Sequence, residues 1–241
     1  MASVGEHYEN VLADVYSWMS GGFDAGIRRN VEFIDANKLT PAGSGNAVDL
    51  GAGCGFQSIP LAMAGYRVTA IDIDGTLLDE LTSNRGELPI ITVQDDLMNF
   101  PAHITAPQEL IVCMTDTVLH LDSRNTVDSL FKRVFAALEP GGKFVITFRD
   151  LTHELKDLDR FLPVRSGENI IFTCFLDFEP ETVKVHDIVY KKSGDEWNLF
   201  KSWYRKLRVS GQWVNTQLEH CGFTRVNSNV KNGVVTIIAH K

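Results

Sequence analysis

Three glycines at alternate positions, Gly51, Gly53 and Gly55, follow the apolar run Ala47-Val48-Asp49-Leu50, and a helix-like segment comes next. Glycine has no Cβ and adopts positive φ at little cost, so such a stretch can turn sharply and lay backbone atoms against a ligand. A side chain at any of the three is expected to occupy ligand space. A strand running into a glycine loop and then a helix is a nucleotide-cofactor arrangement, and its spacing narrows the choice. A dinucleotide fingerprint needs a glycine three residues after the second, so that a helix packs closely and its N-terminus meets a pyrophosphate; here that position is Phe56. Roughly twenty residues on, a buried-strand pattern over 67–71 ends in Asp72, Ile73 and Asp74, where an acid suits the two hydroxyls of a ribose. A ribose acid without a pyrophosphate fingerprint points to a nucleoside that lacks a phosphate bridge.

Further polar candidates cluster where later strands end. Thr115-Asp116-Thr117-Val118-Leu119-His120 follows one apolar run, and Arg149-Asp150 follows another. His120 titrates in the range a general base needs, although packing is the blander role for it. Arg149 could clamp a carboxylate or phosphate, or pair with Asp150 or Asp24. Asp74 is better suited to capping the helix that carries Leu77, Leu78 and Leu81 than to binding.

These residues need a scaffold that alternates strands and helices. Short, branched, apolar segments at 48–50, 68–71, 90–93, 110–114 and 143–148 read as strands of a parallel sheet covered on both faces. Val127, Leu130, Phe131, Val134, Phe135 and Leu138 form a helical stripe, capped by Asp122 or Ser123 and stopped by Pro140-Gly141-Gly142. Pro60 falls in the first turn or so of the helix after the glycine loop, where its missing N–H costs little. Segments 169–178, 181–191 and 197–209 read as three antiparallel strands, with Gly194-Asp195 as a turn, before a helix at 211–221 and two last strands at 223–230 and 234–239. Before the sheet, Tyr8, Val11, Leu12, Val15, Tyr16 and Met19 recur at helical spacing, and Ile27, Val31, Phe33 and Ile34 suggest a second helix after Gly21-Gly22.

The runs VDLGAGCGF (48–56), AIDID (70–74), VQDDL (93–97), LIVCMTDT (110–117) and LEPGGKFVIT (138–147) stand in an order that resembles the class I S-adenosylmethionine-dependent methyltransferases of the small-molecule type. The resemblance is strong over residues 45–150 and weaker over 211–241. It implies an α/β fold: a seven-stranded, mostly parallel Rossmann-like sheet with helices on both faces and the last strand antiparallel, plus a three-stranded antiparallel insertion after strand five. The expected organisation is an N-terminal helical cap (1–45), a cofactor-binding domain (46–150 and 211–241) and a β insertion (151–210) serving as substrate lid or dimer surface.

The resemblance also assigns roles. S-adenosylmethionine would lie against Gly51, Ala52, Gly53 and Gly55, with Asp49 accepting from its methionine amino group. Asp72 would hold the ribose, Ile73 the adenine face, Asp96 the adenine amino group and Leu97 a neighbouring backbone contact. Asp95 stands where relatives often carry glycine, so either acid of the pair could hold that place. Met114 borders the sulfonium, and Tyr16 and Trp18 are the aromatic candidates to face its charge. Catalytic candidates are His120, Asp116 and Arg149.

Composition limits the partners. The chain has 241 residues, enough to bury a full core, and no apolar run approaches the roughly 20 residues a membrane span needs. Four scattered cysteines, Cys54, Cys113, Cys174 and Cys221, lack metal-ligand spacing, so no metal is expected and reduced thiols in a cytoplasmic protein are. The start MASVGEHYEN lacks a basic segment followed by an apolar core, so secretion is not expected. A net charge of −8 disfavours nucleic acid. The expected reaction is in-line methyl transfer to an oxygen or nitrogen of a small molecule, in which alignment and water exclusion matter most. A protein or RNA methyltransferase and a non-catalytic S-adenosylmethionine-binding protein are the alternatives. The motif after strand four lacks an Asn-Pro-Pro-Tyr type sequence, which disfavours planar amide and adenine acceptors. In the insertion, Arg205 is placed beside Asp187 as a structural pair or a substrate clamp.

Overall fold

The computed structural model describes residues 4–241. Its main sheet contains β1 (Asn46–Leu50), β2 (Arg67–Asp72), β3 (Ile90–Gln94), β4 (Gln108–Cys113) and β5 (Leu138–Arg149), all parallel. β1, β4 and the second half of β5 read as apolar runs because both faces are covered: Ala47, Val48, Leu50, Ile111, Phe144 and Ile146 are fully buried. Strand order is β3-β2-β1-β4-β5 and continues through β11 (Val234–His240) to β10 (Thr224–Lys231). β11 slots antiparallel between β5 and β10, turning through Asn232 and Gly233, both at positive φ as a tight two-residue hairpin needs. The order reverses between β1 and β4, and in an open α/β sheet the ligand crevice lies beyond the carboxyl ends at that switch point.

Helix Arg124–Ala137 buries Val127, Leu130, Phe131 and Val134 against the sheet. Ser123, not Asp122, caps it, its Oγ accepting from the Thr126 amide at 3.1 Å. The helix stops at Ala137, so Pro140-Gly141-Gly142 belongs to an irregular start of β5 instead of ending the helix. Gly142 is needed there, because a Cβ would come within 2.9 Å of the Glu139 carbonyl and 3.1 Å of the Gln108 carbonyl.

The insertion is a sheet of four strands, not three: β6 (Phe161–Ser166), β7 (Ile170–Phe178), β8 (Thr182–Ser193) and β9 (Glu196–Leu207), in that order and antiparallel. The extra strand β6 contains Pro163, which an edge tolerates, and its register with β7 shifts between Pro163 and Arg165. The inner face of this sheet is covered by the N-terminal segment. Val11, Leu12 and Val15 pack on Phe172, Cys174, Val183, Val185, Val189 and Tyr204, and buried His7 Nε2 lies 2.9 Å from Asp187 Oδ2. The segment is not one regular helix: a π-helical turn at Tyr8–Leu12 and a 3-10 turn at Ala13–Val15 separate two short α-helical turns. Helix Phe23–Ala36 instead packs on the main sheet's layer, Ile34 meeting Leu39 and Ile59. No described helix is long and apolar enough to cross a membrane.

Candidate active site

At the switch point the chain leaves β1 through the glycine loop. The amides of Gly51 and Ala52 still donate to the Ile71 carbonyl, at 2.9 and 3.0 Å, so the loop begins as a continuation of the sheet. Gly51, Gly53 and Gly55 all have positive φ, and Gly51 and Gly53 line the cleft, yet only at Gly53 would a Cβ find open space. A Cβ on Gly51 would overlap Thr117, and one on Gly55 would overlap the Leu81 side chain. At Gly53 the nearest atoms, of Leu77 and Tyr16, would lie 3.9 Å away. The expectation that all three glycines keep ligand space clear is thus corrected: two serve packing. Phe56, in place of a dinucleotide glycine, is buried against Gly26, and Tyr16 stacks on it with ring centroids 6.1 Å apart.

The loop borders an open cleft of about 930 Å³, counted out into solvent. Asp72 stands in it with its carboxylate aligned, Oδ2 accepting from the Gly53 amide at 2.7 Å and Oδ1 from the Asp74 amide at 2.9 Å. Burial raises its pKa, against the pull of those two amides. Asp74 caps the next helix, as its position suggested, accepting from the Leu77 amide at 2.9 Å. Ile73 and Leu97 supply apolar lining, and Asp96, which accepts from the Met98 amide at 2.7 Å, adds a second carboxylate. Asp95 takes a different role. Its oxygens engage the Asp96 amide, Asn99 and His103, outside the lining, so the choice between the two acids falls on Asp96 as the one facing the cleft.

Five other candidates lie off the lining. Ala52 and Met114 are buried behind it. Gly55 faces Leu81. Trp18 packs on the second sheet beneath the Arg165 guanidinium, 5.2 Å from its ring centroid, so of the two aromatic candidates only Tyr16 reaches the cleft. Asp49 is buried below the loop. Its Oδ2 accepts from Ser58 Oγ at 2.6 Å while Oδ1 has no partner, and burial pushes its pKa up to about 7 despite the Ser58 bonds.

Beyond β4, Thr115 and Asp116 both adopt left-handed backbone, at φ 58° and 69°. β5 holds this turn through Thr147, whose Oγ1 accepts from the Thr115 amide at 2.8 Å and whose carbonyl accepts from the Asp116 amide at 3.1 Å. Asp116 is buried and receives Arg149 Nη1 at 2.6 Å and Lys206 Nζ at 2.8 Å. Burial opposes its charge, but Lys206 and then Arg149 overcome that and hold the carboxyl well below the usual range. Neither Asp116 nor Arg149 lines the cleft. Arg149 therefore pairs with neither Asp150 nor Asp24, and Arg205 pairs with Glu179 at 2.7 Å, leaving Asp187 to His7.

His120 does line the cleft. It stacks on Tyr204, centroids 5.2 Å apart, and meets Tyr8 edge-on at 6.0 Å. Its Nδ1 is buried without a partner. Burial, with Lys206 adding to it, lowers its pKa to about 3, so the ring stays neutral. Sequence reasoning missed Tyr8 and Asp122 as lining residues. The first was legible only as part of a helical stripe, and the second had been weighed only as a cap.

An open α/β sheet with a glycine-loop cleft at the switch point and a carboxylate at the end of β2 defines a Rossmann-like fold. The comparisons with known proteins agree. Residues 47–142 match the family described as a methyltransferase domain. YqeM of Bacillus subtilis, which bears a provisional methyltransferase designation, is 25% identical over 194 residues, 74% of this chain and 73% of that one. Among solved structures, an S-adenosylmethionine-dependent methyltransferase from Clostridium acetobutylicum superposes with a TM-score of 0.76 at 15% identity, covering 97% of this chain and 98% of that one. An amino pentose methyltransferase from Micromonospora echinaspora superposes with a TM-score of 0.76 at 12% identity, covering 94% and 95%. Residues 47–142 thus carry a methyltransferase domain, and S-adenosylmethionine is the cofactor named for solved structures that share the fold.

Proposed function

We propose that this enzyme transfers the methyl group of S-adenosylmethionine to an oxygen or nitrogen of a small molecule by direct in-line displacement. The observation that carries the reading is the Asp72 carboxylate, aligned by the Gly53 and Asp74 amides on the rim of the cleft, ready to accept from a vicinal diol. Asp96 would take the adenine amino group, with Ile73 and Leu97 against the ring. Gly53 would meet the cofactor with main-chain atoms. Asp49, whose free oxygen lies under the loop, would answer the methionine amino group directly or through water. The sulfonium supplies an activated methyl with an excellent leaving group. The chain's task is then alignment and exclusion of water.

A small acceptor is supported by the cleft's cover and by charge. Tyr8 and Tyr16 of the N-terminal segment form part of its wall, and the chain's net charge of −8 is unsuited to a phosphate backbone. Location in the cytoplasm is part of the same proposal. Calorimetry with S-adenosylhomocysteine tests the cofactor site: the wild type binds, and Asp72→Ala weakens binding by about 1–3 kcal/mol through lost hydrogen bonds. Unchanged affinity removes Asp72 from the site.

A further inference from the structure

Each ionisable group on the cleft wall either is an acid or is held neutral. Asp72, Asp96 and Asp122 are the carboxylates, and among the described residues that line the cleft there is no lysine or arginine. Lys206 and Arg149, the cations near this end of the sheet, are both spent on buried Asp116. Burial keeps the Tyr8 and Tyr16 phenols protonated and His120 uncharged. The three acids are not equivalent. Asp72 is bonded by two amides and Asp96 by one. Asp122 makes no hydrogen bond or ion pair with any described residue, because Ser123 beside it does the capping. Its exposed carboxylate stands on the cleft wall with His120, two residues earlier, whose Nδ1 is buried without a partner.

We propose that the acceptor is an amine, that Asp122 is its specificity-determining residue, and that Tyr8 and His120 form the neutral aromatic wall against which the methylated nitrogen rests. This rests on the methyl-transfer reading above. Beside Asp122 a carboxylate or phosphate acceptor would meet like charge, while an ammonium gains both a carboxylate and aromatic faces. The step needs no base on the enzyme. The amine enters the reaction as its neutral form, having given a proton to water. Its lone pair forms the C–N bond while the C–S electron pair returns to sulfur. The product is a methylated ammonium, which sheds one proton to solvent. A group as hard to protonate as His120 fits that sequence as an acceptor of an N–H hydrogen bond.

The test uses the full-length enzyme, methyl-labelled S-adenosylmethionine and a small-metabolite extract, with the labelled product passed over a cation exchanger at acidic pH. Retention of the label is the expected result. Label in the flow-through or on an anion exchanger would overturn the amine. Label only in macromolecules, or none at all while S-adenosylhomocysteine still binds, would instead bring down the small-molecule reading, and the amine with it. With the retained product identified, Asp122→Asn should raise KM for its precursor at least about tenfold, leave kcat within a few fold and leave S-adenosylhomocysteine affinity unchanged by calorimetry. Asp122→Glu should recover part of the KM. An unaltered KM in Asp122→Asn would remove this residue from acceptor recognition.

Discussion

The Gly53 amide donates to Asp72 Oδ2 at 2.7 Å, joining the glycine loop after β1 to the acid at the end of β2. The two halves of the cofactor signature therefore brace each other. The glycines on either side of Gly53 do something else, since Cβ atoms at Gly51 and Gly55 would overlap Thr117 and Leu81.

This division predicts a split between stability and binding. Gly55→Ala places a Cβ against Leu81 at φ 93°, a conformation alanine resists, and should lower the melting temperature markedly. Gly53→Ala sits at φ 51° with nothing nearer than 3.9 Å, so the fold should survive while S-adenosylhomocysteine affinity falls roughly tenfold or more. Thermal melts and calorimetry on both variants check this. Equal effects of the two on stability would mean Gly53 is also a packing glycine.

Asp49 should make stability depend on pH in an unusual direction. A carboxyl whose pKa rises from 3.8 unfolded to about 7 folded favours the native state below the unfolded value. That contribution is lost as pH climbs through the folded value, about 4 kcal/mol in all by linkage. Asp49→Asn should remove the loss, so the variant gains on the wild type between pH 4 and about 7 in urea unfolding. A constant difference across that window would show that Asp49 stays ionised.

Asp116 should behave in the opposite sense. Lys206 and Arg149 hold its carboxyl below the usual range, so its contribution is present at neutral pH and fades as pH falls through the acid range. Lys206 carries most of it, because its side chain is 12% exposed while that of Arg149 is 62% exposed and solvent-screened. Asp116→Asn keeps a residue type that tolerates the left-handed backbone at φ 69° but leaves Lys206 buried without its partner. About 3 kcal/mol should be lost at pH 7, measured by denaturant unfolding. A loss well under about 1 kcal/mol would mean that the lysine reorients to water.

The centre of the main sheet was legible because β1, β4 and the second half of β5 are buried on both faces and so appear as apolar runs, and the glycines, Asp72 and Asp74 have local meanings that spacing alone conveys. What stayed hidden depends on partners far along the chain or on choices between neighbours. Asp116 meets Lys206 across ninety positions, and nothing near either residue announces it. Asp122 and Ser123 are both good caps by type, and only the backbone decides that serine caps and the acid turns to the cleft. β6 was masked by Pro163, which argues against a central strand but not against an edge. Tyr8 reaches the cleft through a π-helical turn that no periodicity reveals.

His120 provides the sharpest distinction between a base and a wall. Burial and the Lys206 charge lower its pKa to about 3, so at any ordinary assay pH the ring is neutral, and taking up a proton there is strongly disfavoured. A general base needs a pKa close to the working pH. His120→Gln, which keeps a hydrogen-bonding side chain of similar reach, should therefore retain at least about a tenth of the turnover number. The pH dependence of kcat/KM in the wild type should show a limb set by the acceptor, shared by the variant, and no separate limb in the range where an unperturbed histidine titrates. A thousandfold loss in His120→Gln, or a limb near pH 6.5 that vanishes with the substitution, would restore His120 as the base. The same measurement separates the two roles of the stacked pair. Tyr204→Phe keeps the aromatic face on which His120 rests, at 5.2 Å between centroids, and should leave the profile unchanged, whereas Tyr204→Ala should loosen the ring and raise KM for the acceptor without moving any limb.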